Sequence, residues 1–102
     1  MTVSPPACLE QVWFRTRPDV DTSTVLAMAQ AMQADVARLP GYRQRQLARA
    51  EDGRWLDAIL WQDDASAQAA MLAVMQLPSC GAFFALIEPG SIDMQHLQSH
   101  AL

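Results

Sequence analysis

Four side chains of this 102-residue sequence are of types that can stack on flat rings, move protons or hold anions: Trp61, His96, Asp57 and Arg15. A tryptophan at a strand end offers a broad ring to a planar molecule and an indole N–H to one of its oxygens, or else packs in a core or an interface. Asp57 alternates in phase with Trp55, Ile59 and Trp61. A cavity on that face would strip water from its carboxylate and make it a candidate base, unless an arginine of a second chain pairs with it. Histidine titrates near neutral pH, which suits deprotonation of a phenol or proton shuttling. His96 is the one histidine inside an expected element, although no acid stands at a telling spacing from it and a half-exposed strand-end histidine is the plainer alternative. Arg15 leaves the first strand on the face of Gln11 and Trp13, where a guanidinium could hold an anionic oxygen or bridge a partner's carboxylate. Gln11, Trp13, Ile59 and Tyr42 complete the set as candidate substrate contacts.

Several chemistries are excluded by what the chain lacks. It has neither lysine nor asparagine, so no Schiff base can form on the protein and no asparagine amide can serve an active site. His96 and His100 are four residues apart on a strand running into coil, with no cysteine or second carboxylate converging in sequence, so no metal site is expected. No glycine-rich motif for a flavin or nucleotide occurs, and no cofactor is expected. Cys8 and Cys80 form no C-x-x-C motif. Without a basic-then-apolar leader at the N-terminus, they read as reduced thiols of a soluble cytoplasmic protein. A formal charge of −4 disfavours a nucleic-acid partner. No apolar run approaches the ~20 residues of a membrane span.

The elements that must position these residues follow from periodicity. Cys8 to Thr16 alternates as a strand apolar on both sides. Asp21 or Thr22 then caps a helix whose Val25, Met28, Met32, Val36 and Leu39 mark a core face, and Pro40-Gly41 ends it. Tyr42 to Ala50 reads as a polar outer strand, placing Tyr42, Gln44, Gln46 and Ala48 on one face. Arg43, Arg45 and Arg49 form a solvated stripe on the other. Glu51-Asp52-Gly53 turns into a central strand, Arg54 to Gln62. Asp63 and Asp64 cap an alanine-rich helix, Ala65 to Leu77, apolar around enough of its girth to require cover. Ser79 to Ile87 is a helical turn, and Ser91 to Gln98 a last strand. The domain therefore spans residues 8–98, with residues 1–7 a loose arm and 99–102 a tail.

Strand, helix, strand, strand, helix, strand is the order of a ferredoxin-like βαββαβ sandwich, an α+β fold with two helices on one face of a four-stranded antiparallel sheet. Trp13, Trp55, Ile59 and Trp61 cannot all lie against the helices if Leu56, Ala58 and Leu60 do. The expectation is that the bare face is covered by a second copy, giving a homodimer with an apolar pocket at its interface.

With this order, Phe14-Arg15-Thr16-Arg17-Pro18 ending the first strand, Pro40-Gly41-Tyr42 entering the second and Trp61-Gln62-Asp63-Asp64 ending the third are similar to the antibiotic biosynthesis monooxygenase family, over Leu9 to Leu97. That family belongs to the dimeric α+β barrel class. The resemblance implies cofactor-independent oxygenation of a small planar phenol, quinol or polyketide-like molecule; a non-catalytic dimer binding a small apolar or aromatic ligand is the alternative. Ser79 and Cys80 follow Pro78 where many members carry a histidine, and the asparagine of the haem-degrading branch is absent. The resemblance therefore does not extend to haem degradation.

Overall fold

The computed structural model describes residues 5–102. Its elements run β1 (Ala7–Phe14), α1 (Thr22–Ala37), β2 (Tyr42–Arg49), β3 (Trp55–Trp61), α2 (Asp64–Val74), α3 (Pro78–Phe84) and β4 (Asp93–Ser99). The strands form one antiparallel sheet in the order β2-β3-β1-β4, the ferredoxin-like arrangement that the element order implies. Element ends differ by a few residues. Ala7, expected in the arm, begins β1, while residues 1–4 of that arm lie outside the described residues. Thr16 leaves the sheet and makes a single bridge to Ile87, and Ser99, expected in the tail, closes β4.

Both long helices begin at an aspartate, because a short carboxylate can accept from backbone N–H groups that have no partner in the first turn. Asp21 accepts from the Thr24 hydroxyl at 2.7 Å and the Thr24 N–H at 2.9 Å. Asp63 accepts from the Ser66 N–H at 2.8 Å. Hydrogen bonds from Thr24 and from Ser66, side chain first and then backbone, hold these two carboxyls below the ordinary aspartate range. The stabilisation they supply is present above that range and is lost as pH falls through the lowered values.

The facing of the strands corrects one expectation. Register pairs Cys8 with Trp61, Glu10 with Ile59, Val12 with Asp57 and Phe14 with Trp55, and these eight positions point together toward the helices. Trp55 and Trp61 are 3% and 1% exposed, so they are core and not part of a bare second face. The two indoles fill the layer between sheet and helices beside Val25, Ala29, Met32 and Val36 of α1 and Ala67 and Ala70 of α2, whereas Leu56, Ala58 and Leu60 are left on the outer face with Leu9, Gln11 and Trp13.

Two further expectations change. A register shift between Tyr42 and Gln44 turns Tyr42 onto the helix face with Arg45, Leu47 and Arg49, away from Gln44 and Gln46. Helix α2 is not largely covered: only Ala67 and Ala70 are buried, while Leu72 and Met75 are exposed. Among the described residues no single helix is long and apolar enough to cross a membrane.

Gly41 joins α1 to the sheet at a φ of 84°, and a Cβ on it would collide with the Ser66 side chain in the first turn of α2. Its carbonyl accepts from the Gln62 N–H at 2.7 Å, so the segment cannot move away without losing that bond. Gly41→Ala should therefore cost about 1–3 kcal/mol from the positive φ alone, read as a lowered thermal midpoint; an unchanged midpoint would show that this approach is not tight.

Candidate active site

A cavity of about 240 Å³ lies between the sheet and the helices of one chain. Its floor is Glu10, Val12 and Phe14 of β1, Asp57, Ile59 and Trp61 of β3, and Met94 of β4; α1 contributes Met32 and Val36, and Met71 and Met75 of α2 with Phe84 of α3 stand opposite. An apolar pocket is thus present within a single chain, between its sheet and its helices. Phe14 and Phe83 meet edge to face at 5.6 Å and close one side. Met75, Phe84, Ile92 and Met94 are exposed as well as cavity-lining, so they form its mouth. Unbranched methionines there can shift to admit a ligand.

Within this apolar shell the carboxylate of Glu10 is the residue that the sequence reading missed. Glu10 is buried and lies directly across from His96 in the β1–β4 ladder. One of its oxygens takes the Trp61 indole N–H at 3.3 Å, and the other lies 3.0 Å from His96 Nε2. The far ring nitrogen, Nδ1, lies 3.1 Å from the Gln68 amide nitrogen. An amide N–H can only donate, so Nδ1 is the acceptor and Nε2 carries the hydrogen given to Glu10. Trp61 and His96 are therefore brought together by a third group, and the indole N–H is committed to Glu10 in place of a ligand oxygen. Ile59 lines the same floor.

Asp57 also faces the cavity, but its charge is compensated. Arg45 donates to it in a fork, Nε to Oδ1 at 2.9 Å and Nη2 to Oδ2 at 2.8 Å. The same guanidinium reaches the Ala29 carbonyl and Gln33 Oε1, both at 3.2 Å, and sits over the Phe83 ring at 5.9 Å. With side-chain exposures of 4% and 9%, Arg45 and Asp57 are a buried pair within one chain. Asp57 is thus an anchor for β2 and α1, not a free base, and Arg45 is not part of a solvated stripe. The register shift after Tyr42 is what turns Arg45 inward.

The remaining candidates stand elsewhere. Arg15 is exposed and binds the Asp52 carbonyl at 3.1 Å, on the far side of the sheet from the cavity. Trp13 is stacked under Arg54 at 4.6 Å, and it shares the outer face with Gln11. None of these three can touch a ligand in the cavity. Tyr42 stands behind the floor: its ring meets Trp61 edge to face at 6.1 Å and its hydroxyl accepts from Gln33 at 2.8 Å. It supports Trp61 and does not line the space.

Nor are cysteine and acid absent from the neighbourhood of His96. Cys8 Sγ and His96 Nδ1 approach Asp64 Oδ1 to 3.9 Å and 4.0 Å, although the sequence separates these residues widely. Burial, followed by the charges of Asp64, Glu10 and Asp63, pushes the Cys8 thiol up, so it is not an activated nucleophile.

No family model matches the sequence, and no curated protein matches it. Solved structures do. SnoaB, a cofactor-independent oxygenase from Streptomyces nogalater, matches with a TM-score of 0.76 at 17% identity, over 95% of this chain and 96% of that one. The chain has its fold. A monooxygenase from the gene ActVA-Orf6 of Streptomyces coelicolor, solved with nanaomycin D, matches at TM-score 0.69 and 12% identity, over 95% and 90% of the two chains. A putative antibiotic biosynthesis monooxygenase from Chloroflexus aurantiacus gives 0.68 and 14%, over 93% and 94%. The likeness to that family read from the sequence is therefore matched at the level of backbone.

Because Arg45 and Asp57 are both buried, removing one leaves the other charge without a partner. Arg45→Met should destabilise the fold by about 3–5 kcal/mol, whereas Arg45→Met with Asp57→Leu should recover most of that loss. Denaturant unfolding of the two variants checks this, and equal stabilities would mean that the pair is not coupled.

Proposed function

We propose that this chain is a cofactor-independent oxygenase whose substrate is a small fused-ring phenol, with hydrogen on the carbon para to its hydroxyl, bound in the cavity within each chain. The observation that carries this reading is Glu10: among the ionisable groups lining an otherwise apolar space, its carboxylate is the one with no arginine partner. The fold shared with cofactor-independent oxygenases supports the same class. About 240 Å³ lies below the range of roughly 300–1,000 Å³ usual for ligand cavities, which favours one or two fused rings over a large polycycle.

The chemistry needs a base, a dry site and oxygen. A flat substrate lies over Trp61 and Ile59 with its hydroxyl toward Glu10, which takes the hydroxyl proton. Electron density then rises on the ring carbon para to that oxygen. This carbon gives electrons to O2 and forms the C–O bond of a peroxide, and Glu10 returns its proton to the outer peroxide oxygen. Loss of the carbon's own proton with cleavage of O–O leaves a carbonyl and releases the outer oxygen as water. In total a phenol and O2 give a quinone and water. His96 and Trp61 act by hydrogen bonding, holding the carboxylate in place as its charge changes.

We also propose that two copies associate through the outer sheet face, where Leu9, Trp13, Leu56 and Leu60 are only partly buried in the single chain and Leu97 is exposed. The cavity lies on the opposite side of the sheet, so association is not needed to enclose it.

Chelator-treated protein should consume oxygen with fused-ring phenols, and Glu10→Gln should lower kcat/KM by roughly 10²–10⁴, the usual contribution of a positioned acid–base group. Binding of such phenols without oxygen uptake would instead favour a ligand-binding protein. Sedimentation should give twice the 11.3 kDa chain mass, and Leu60→Glu should yield a monomer that keeps the cavity. A wild-type monomer would contradict the association.

A further inference from the structure

The side of His96 turned away from the cavity carries a second group of potential ligands. Cys8 enters from β1, Asp64 from the first turn of α2 and His96 from β4, and their sulfur, oxygen and Nδ1 atoms all lie within 4.8 Å of one another. From these residues we infer a site for a zinc-class divalent cation, bound by Cys8 Sγ, His96 Nδ1 and Asp64 Oδ1. This inference does not depend on the reading of the cavity as an oxygenase site.

The chemistry of the donors selects the ion. One thiolate, one imidazole and one carboxylate suit a borderline-soft dication and disfavour magnesium or calcium, which take oxygen ligands. Bond lengths of about 2.3 Å to sulfur and about 2.0–2.2 Å to nitrogen and oxygen put tetrahedral ligand atoms somewhat under 4 Å apart. The 3.9 Å and 4.0 Å pairs to Asp64 therefore need only a small contraction, while Cys8 and His96, whose donor atoms lie within 4.8 Å, must also draw together. Asp64 can supply it, because its side chain is 70% exposed and free to swing inward. That exposure also gives the ion a path from solvent and leaves room for water as a fourth ligand.

Two features of the surroundings point the same way. His96 gives its Nε2 hydrogen to the buried Glu10 carboxylate at 3.0 Å, so Nδ1 is the ring nitrogen with a lone pair to give, and it lies 4.0 Å from Asp64 Oδ1. A carboxylate behind a ligating imidazole is the usual support for such a metal ligand. Asp64, Glu10 and Asp63 all act on the Cys8 sulfur, and a dication among them would offset this concentration of negative charge. The Gln68 amide, now 3.1 Å from Nδ1, would have to withdraw. A bound ion would then fix the imidazole ring, and with it the Glu10 hydrogen bond at the cavity floor.

Cobalt is the probe, because it occupies zinc sites and absorbs light. Titrating the reduced full chain with Co2+ should produce visible bands of a four-coordinate ion and a near-ultraviolet thiolate-to-cobalt band, both removed by equimolar Zn2+. The chain has only two cysteines, so Cys8→Ser should abolish the thiolate band and Cys80→Ala should keep it. Because Cys8 is buried, exposed Asp64 supplies the variant that leaves folding intact: Asp64→Ala should weaken Zn2+ at least tenfold in competition with a chromophoric chelator. Glu10→Gln, which leaves all three donor atoms in place but removes the carboxylate behind His96, should weaken it by roughly 10- to 100-fold. A cobalt spectrum with no thiolate band in the wild type, or Zn2+ affinity unchanged in Asp64→Ala and in His96→Gln, would overturn the site. Either result is independent of whether the cavity turns over a phenol.

Discussion

The burial of one carboxylate, Glu10, is the constraint on which the arrangement of this molecule turns. A charge or even a polar group placed in an apolar space is strongly penalised unless its oxygens are satisfied. Here one oxygen is satisfied from β3, by the Trp61 indole, and the other from β4, by His96. Only a strand lying between those two can present a side chain to both, and β1 is that strand. His96 is directly opposite Glu10 in the ladder, and Trp61 is two residues beyond its partner Ile59, on the same face. A one-residue slip on either side would turn the donors to the outer face and leave the carboxylate alone.

Two carboxylates face the cavity, and their surroundings give them different work. Asp57 is held in a two-pronged grip by Arg45, which also reaches the Ala29 carbonyl of α1 and so fastens β2, β3 and that helix together. Its charge is spent on architecture. Glu10 is held by an indole and an imidazole, donors that leave it able to accept a further proton. Around both carboxylates the layer between sheet and helices is apolar, with Trp55 and Trp61 buried in it, and the cavity opens at Met75, Phe84, Ile92 and Met94.

Much of the fold was legible in the residues because punctuation and period agree. Asp21 and Asp63 start the helices, Pro40-Gly41 and Pro78 divide them, and the strand order follows. The facing of β3 was not legible, because Trp55–Trp61 is apolar on both sides and alternation alone cannot say which set is inside. That choice requires the three-dimensional partners. Tyr42 and Arg45 were misplaced by one irregularity in register that has no sequence marker. Arg15, Gln11 and Trp13 share one face, as their alternation implies, and it is the face of the sheet opposite the cavity of the single chain. Glu10 did leave a signal: it is an acid in phase with Cys8, Val12 and Phe14, the core face of β1. A charge on a core face marks either a buried pair or a site. Trp61 and His96 were chosen for their chemistry alone, and the link between them could not be seen without that acid.

Within the cavity of the single chain Glu10 is the carboxylate without an arginine partner, and it is the central claim. The most direct test removes oxygen altogether. A fused-ring phenol such as 1-naphthol is held with chelator-treated protein in anaerobic D2O, and exchange of its ring hydrogens is followed by proton NMR. Deprotonation of the hydroxyl followed by reprotonation on carbon places deuterium at the ring positions that would later meet O2. The account predicts exchange para to the hydroxyl that is accelerated by the wild type and lost in Glu10→Gln. Exchange at the uncatalysed rate with bound wild type, or equal acceleration by Glu10→Gln, would contradict it.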